Sequence, residues 1–189
     1  MALRPVSPKG MVTLRPATAA DVPALEALIA ASARALGVGY YTTAETEAAI
    51  SHVFGVDSAL VVDRSYFVAE ADGALAGCGG WSARRTLFGG DRFAAREDDR
   101  LDSATDAARI RAFFVAPTFA RRGVGAALLD GCEAAARAAG FTTGALMATL
   151  PGVPFYAAHG YVAGEPIAHD CGGVAVPFVP MTKPIAAGR

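Results

Sequence analysis

RIRAFFVAPTFARRGVGAALLDGCEAAARAAGF, running from Arg109 to Phe141, is the stretch that decides the fold. Ile110, Ala112, Phe114 and Val115 are expected to form a buried strand. Pro117 ends it, and from Val124 to Ala139 apolar residues recur at helical spacing. Between strand and helix lies Arg121-Arg122-Gly123-Val124-Gly125-Ala126. Glycines just before a helix let several backbone N–H groups turn toward one point. The helix N-terminus adds about half a positive charge there, so the loop favours an anion. The two arginines add donors for phosphate oxygens.

A glycine-rich strand-to-helix turn is equally a packing device, and two known phosphate patterns do not fit it. The nucleotide phosphate loop needs Lys and then Ser or Thr after its last glycine, whereas Ala126 and Ala127 follow Gly125. A dinucleotide fingerprint needs a third glycine where Leu128 stands.

The segment does resemble the acyl-CoA-binding core of the GCN5-related N-acetyltransferase superfamily. Val115-Ala116-Pro117 matches that family's Val-x-Pro strand end, and Gly123 and Gly125 match the glycines of its Gln/Arg-x-x-Gly-x-Gly/Ala loop. A second family block, aromatic-Tyr-x-x-x-Gly-aromatic, is similar to Phe155-Tyr156-Ala157-Ala158-His159-Gly160-Tyr161. The resemblance spans roughly Val12 to Pro184 in topology, with specific motifs only between Arg109 and Tyr161.

It implies a single α/β (α+β) domain over residues 11–189. The sheet would be mixed, mostly antiparallel and twisted, its central strands splayed and helices flanking it. It also implies direct transfer of an acetyl group from acetyl-CoA, the cosubstrate, to a primary amine on a small molecule or a protein lysine. Phe113, Phe114 and Val115 match the strand whose backbone N–H groups bind the pantetheine arm and polarise the thioester carbonyl. Arg121 to Ala126 match the pyrophosphate loop. Tyr156 matches the general acid, a phenol that stays protonated at neutral pH. Three positions depart from the family pattern. Ala120 replaces the Gln/Arg of the loop, Thr149 replaces an asparagine that touches the pantetheine arm, and Gly144 stands where ribosomal-protein acetyltransferases carry a glutamate base. Two rival readings keep the fold: another acyl-CoA or acceptor, or an acyl-CoA sensor without turnover.

The amine's base has to be sought elsewhere. Thr42 and Glu45 have capping-box spacing at the start of a helix, and on it Glu47, Ile50 and Phe54 share one stripe. Glu47 is therefore the acid expected to face inward and the first candidate base, with a water chain second. The resemblance implies that the helices after the first strand form the acceptor side, so acceptor contacts are expected in the Tyr40-to-Phe54 segment. His159, near the end of the short helix bearing Tyr156, is expected to make a polar C-terminal contact instead.

The rest of the chain sets the frame. Residues 1–10 read as a loose tail, and Thr18 and Asp21 open a helix whose face carries Val22, Leu25, Leu28, Ile29 and Leu36. Residues 66–70 and 74–81 form a hairpin across Asp72-Gly73, and Gly77, Gly79 and Gly80 signal a bulge or a close backbone approach. Residues 84–106 read as a solvated excursion, with cover for the acceptor site as the alternative. Pro177 and Pro180 place the last strand at an edge or a bulge.

The 189 residues are 53% hydrophobic and 19% charged, enough for one ordinary core. A net charge of −1 gives no general attraction to nucleic acid or to an anionic membrane. Cys78, Cys132 and Cys171 have no metal-ligand spacing, so neither a metal site nor a disulfide framework is expected. No apolar run reaches the roughly 18 residues of a membrane span, and the N-terminus lacks a signal-peptide pattern, so a cytoplasmic protein is expected. A homodimer is compatible with the sequence.

Overall fold

The computed structural model describes residues 11–185 except Arg96 and Asp98. The expected tail, residues 1–10, lies outside them, as does part of the charged run around Glu97. Eight strands form one sheet among the described residues: β1 (Thr13–Pro16), β2 (Tyr66–Ala71), β3 (Ala74–Ser82), β4 (Ala108–Val115), β5 (Thr143–Thr149), β6 (Val162–Ala163), β7 (Ile167–Cys171) and β8 (Val174–Pro184). The order is β1-β2-β3-β4-β5-β8-β6, with β7 also on β8, and every neighbouring pair is antiparallel except β4 with β5. Five α-helices accompany them: α1 (Val22–Leu36), α2 (Thr43–His52), α3 (Ser58–Val62), α4 (Val124–Ala138) and α5 (Val153–Ala158). This is the mixed single α/β domain that the motifs imply. Among the described residues no helix is long and apolar enough to cross a membrane.

Alternation along the strands divides the core between the two faces of the sheet. On β2, Val68 joins Leu25, Ile29 and Val53 under α1 and α2, whereas Ala69 joins Val124 and Leu128 of α4. The buried positions Val124, Leu128, Leu129, Cys132 and Ala136 make one stripe of α4. Glu133 lies in that stripe too, and Lys183 of β8 donates to both of its carboxylate oxygens at 2.9 Å. A buried carboxylate needs such a partner. All three cysteines are free and buried.

Three expectations are corrected. The last strand, β8, is neither an edge nor bulged: β5 flanks it on one side and β7 and β6 on the other, each in unbroken register. Its prolines are tolerated for local reasons. The Pro180 carbonyl accepts from Gly164 N–H at 2.8 Å, so its missing N–H falls on that same flank, in the gap where β7 has ended and β6 has not begun. Pro177 lies beyond the last β5 partner, Phe178 opposite Thr149. There the Tyr41 hydroxyl takes over, donating to the Pro177 carbonyl at 2.7 Å and accepting from Leu150 N–H at 2.9 Å.

The second correction concerns residues 84–106, which are no solvated excursion. Gly90 N–H donates to Val53 O at 2.8 Å, Asp91 N–H donates to Val56 O at 3.0 Å, and Phe93 and Leu101 are buried. The third concerns α2, whose buried residues are Thr46 and Ala49 rather than Glu47. The capping box at Thr42 and Glu45 is present, so the helix starts where expected with a different face inward.

Candidate active site

The central strands part early. β4 pairs with β5 only from Ala108 to Ile110, opposite Gly144 to Leu146. Beyond Ile110 the flank of β4 that faced β5 borders a cleft of about 700 Å³. On the other flank two residues of β4, Ala112 and Phe113, stand against Gly79 alone, between the pairs Gly80–Arg111 and Cys78–Phe114. This β-bulge turns the strand and takes backbone groups out of the ladder. Ala112 sits at a φ of 53°, and the Tyr66 hydroxyl donates to its carbonyl at 3.1 Å, fixing the distortion. Position 79 must be glycine, because a Cβ there would run into the Phe113 ring. The glycines of β3 thus mark both a bulge and, at Gly77 and Gly80, a close backbone approach, since a Cβ there would lie 2.9 Å from Phe114 O and 2.8 Å from Ser65 O.

The loop before α4 forms one end of the cleft. Gly123, at a φ of 83°, is the residue before the helix, and no side chain among the described residues caps it. The first intrahelical bond is Ala127 N–H to Gly123 O at 3.0 Å, which leaves the N–H groups of Val124, Gly125 and Ala126 without helical acceptors. Arg121, Gly123, Gly125 and Ala126 line the cleft. The two remaining loop positions do not. Arg122 turns outward, 2.6 Å from Asp72 and stacked over Phe119 at 4.8 Å, and the Val124 side chain is buried against the sheet.

Tyr156 lies between the parted strands, on α5, which Pro151 and Pro154 help to start after β5. It is 8% exposed and meets Phe113, Phe155 and Tyr161 edge to face at 6.3, 5.0 and 5.7 Å. Burial pushes its phenol above the usual range, with a smaller contribution from the Cys132 thiol, so the proton is held more firmly than in water. Phe113, Phe114, Val115 and Thr149 line the same cleft. His159 also borders it, its Nδ1 bonded to the Phe155 carbonyl at 2.8 Å, the helix-end contact expected of it.

Glu47 is not brought to this cluster. Arg34 donates to both of its oxygens at 2.6 and 2.8 Å and holds the carboxyl below its usual range. The pair faces a smaller depression beside the cleft, with Tyr41 and Thr46 as the shared wall.

The far end of the cleft was only partly foreseeable. Tyr40 and Tyr41 fall in the segment where acceptor contacts are expected. Phe88, Gly89 and Gly90 come from the long connection, and Met147 and Phe178 from β5 and β8. Their rings interlock, with Phe54 to Phe114 at 5.3 Å and Phe88 to Phe178 at 5.6 Å. Arg111 sits beneath them, its side chain 1% exposed, 2.6 Å from the Asp57 carboxylate and donating to Gly89 O at 2.6 Å. An arginine inside an apolar strand was the available signal, since a buried charge needs partners. Among the described residues no group of three His, Cys, Asp or Glu side chains could hold a metal.

Comparison with known proteins agrees with this geometry. The model of the acetyltransferase (GNAT) family matches residues 25–161. Among curated proteins none matches the chain. A GCN5-related N-acetyltransferase from Rhodopseudomonas palustris superposes with a TM-score of 0.69 at 21% identity, covering 95% of this chain and 99% of that one. The PaiA N-acetyltransferase of Thermoplasma acidophilum, solved with coenzyme A, gives 0.61 at 16% identity over 92% and 99%. The ribosomal-protein-S18-alanine N-acetyltransferase of Escherichia coli gives 0.56 at 15% identity over 95% and 97%. At such identities the structural likeness speaks for the fold.

Proposed function

The chain belongs to the acetyltransferase (GNAT) family, and from that premise we propose that it moves an acetyl group from acetyl-CoA directly to a primary amine, on a small molecule or a lysine side chain, with Tyr156 as general acid. The observation that carries this reading is the convergence on one cleft of three things: the strandless flank of β4, the uncapped start of α4, and Tyr156.

These residues fit the cosubstrate. The N–H groups at the start of α4, with Arg121, suit a diphosphate, because several donors and the helix dipole point at one place. The backbone of Phe113, Phe114 and Val115 suits an amide-bearing arm and a developing oxyanion, since its donors are fixed before the reaction begins. Thr149 borders the same channel. That PaiA was solved with coenzyme A supports this ligand. Bound acetyl-CoA supplies the activated thioester. Tyr156, kept protonated by burial, gives its proton to the departing sulfur. Glu47, held by Arg34 away from the cleft, is not the base in this reading. A net charge of −1 gives no general pull toward nucleic acid, which supports an amine as the acceptor, and in this reading the enzyme works in the cytoplasm.

Calorimetric titration with CoA and acetyl-CoA, followed by thiol detection on adding amines, tests the proposal. Binding of both with amine-dependent thiol release is expected. Failure to bind either would remove the reading and return the glycine loop to a packing role.

A further inference from the structure

The cleft divides chemically between its two ends, and the acceptor end is unsuited to an ammonium ion. Its wall carries the rings of Phe54, Phe88, Phe114 and Phe178 together with Met147 and Leu36. Among the described residues no carboxylate lines any part of the cleft, and the ionised side chains that do are Arg111 and Arg121. A cationic acceptor entering here would shed water and meet no free carboxylate in return, because the Asp57 carboxylate beneath the wall is already paired with Arg111. Ring faces offer an ammonium less than its lost hydration costs.

Among the described residues no carboxylate on the same wall can take a proton. Glu47 pairs with Arg34 outside it. The Tyr41 hydroxyl is engaged by Pro177 and Leu150. His159 packs at a tilt against Phe155 at 4.4 Å, and Phe155 lies where a Cβ on Gly125 would touch it, so His159 belongs to the loop end.

We propose that the acceptor is an aromatic amine, a weakly basic nitrogen already uncharged at neutral pH and carried on a flat apolar ring, in preference to a polyamine, a lysine or another alkyl ammonium. This rests on the acetyl-transfer reading above. A neutral amine removes the need for a base before attack. The nitrogen forms a bond to the thioester carbonyl carbon, the carbon–sulfur bond breaks, and the sulfur leaves with the Tyr156 proton. The surplus proton on the new amide nitrogen then returns to the Tyr156 oxygen, so one phenol serves both transfers and ends unchanged. An alkyl amine with a pKa of about 10.4 offers only about one neutral molecule in 2,500 at pH 7.

The test uses two isomers of the same size, p-toluidine and benzylamine, the first neutral at pH 7 and the second an ammonium ion, with spermidine and a lysine peptide alongside. Thiol release should favour p-toluidine over benzylamine in kcat/KM by at least about tenfold at pH 7. The p-toluidine profile should be flat from about pH 6 to 9, while that of benzylamine climbs as its ammonium deprotonates. Titration of the CoA-saturated protein should give tighter binding of p-toluidine than of benzylamine. Equal or faster acetylation of benzylamine, spermidine or the peptide, or no thiol from p-toluidine, overturns the proposal. Release from alkyl amines alone would leave the acetyl-transfer reading standing, whereas failure to bind acetyl-CoA would remove both.

Discussion

The two ends of the cleft are built by different means. The loop end is made of backbone. Arg121 and Gly123 hold left-handed conformations, α4 begins without a cap, and β4 bulges beside a strand that has left it. The far end, where the proposed reaction would take its acceptor, is made of side chains from segments far apart in sequence: Tyr41 tied to Pro177, Arg111 tied to Asp57 and Gly89, and Phe88 packed on Phe178. A backbone site needs only the right conformation over a few consecutive residues. A side-chain site needs the whole fold to bring its members together, and it can be re-specified residue by residue without touching the loop.

The contrast predicts separable losses. Tyr156→Phe sits where the two ends meet and should have the largest effect, lowering turnover by about 10²- to 10⁴-fold while CoA affinity is kept. Because burial raises the phenol, the acid form persists to higher pH than in a free tyrosine. Wild-type turnover with a neutral acceptor should therefore not fall before about pH 10, and an earlier decline, or turnover unchanged in the variant, would reassign the acid. Arg111→Leu leaves the buried Asp57 carboxylate without its guanidinium. It should cost about 3–5 kcal/mol in urea unfolding and weaken acceptor more than CoA. An equal loss of both would dissolve the division between the ends.

Gly123→Val forces a β-branched residue into the left-handed region, at about 1–2 kcal/mol or more. CoA affinity should drop about tenfold for each 1.4 kcal/mol that reaches the bound loop, with acceptor preference unchanged. Glu47→Gln should leave turnover and melting temperature where they are, because exposed ion pairs contribute little. A slowed reaction in that variant would bring Glu47 back as base.

The backbone end was legible because its signals are consecutive. Val115-Ala116-Pro117, Gly123 and Gly125 state a strand stop and a helix start within eleven residues, and the glycines of β3 announce the bulge from the opposite strand. Of the far end only Tyr40, Tyr41 and Phe54 were, in the segment where acceptor contacts are expected. Nothing in Phe178 distinguishes a cleft residue from a core residue, since both are apolar positions of a strand. The 84–106 connection carries many charges, and its packing rests on a few residues, Phe88, Phe93 and Leu101, too sparse to show periodicity. Glu47 misled for a related reason. With Thr46 and Ala49 turned to the core, hydrophobicity along α2 is too weak to fix its rotation, and the Arg34 that claims the carboxylate lies thirteen residues away on another helix.

The Tyr41 hydroxyl, which closes the ladder where β5 runs out, also makes one amide informative about traffic through the cleft. The Leu150 N–H has that oxygen as its partner, and because burial raises the Tyr41 phenol to about 12, the O–H that anchors the ring on the Pro177 carbonyl survives ordinary alkaline conditions. Exchange of that proton with deuterium then requires the ring to swing away and carry the α1–α2 turn with it. An acceptor bound against Tyr40 and Tyr41 would hold the ring in place. The deuteration rate of a single backbone position would thus report occupancy of a site that contributes no signal of its own.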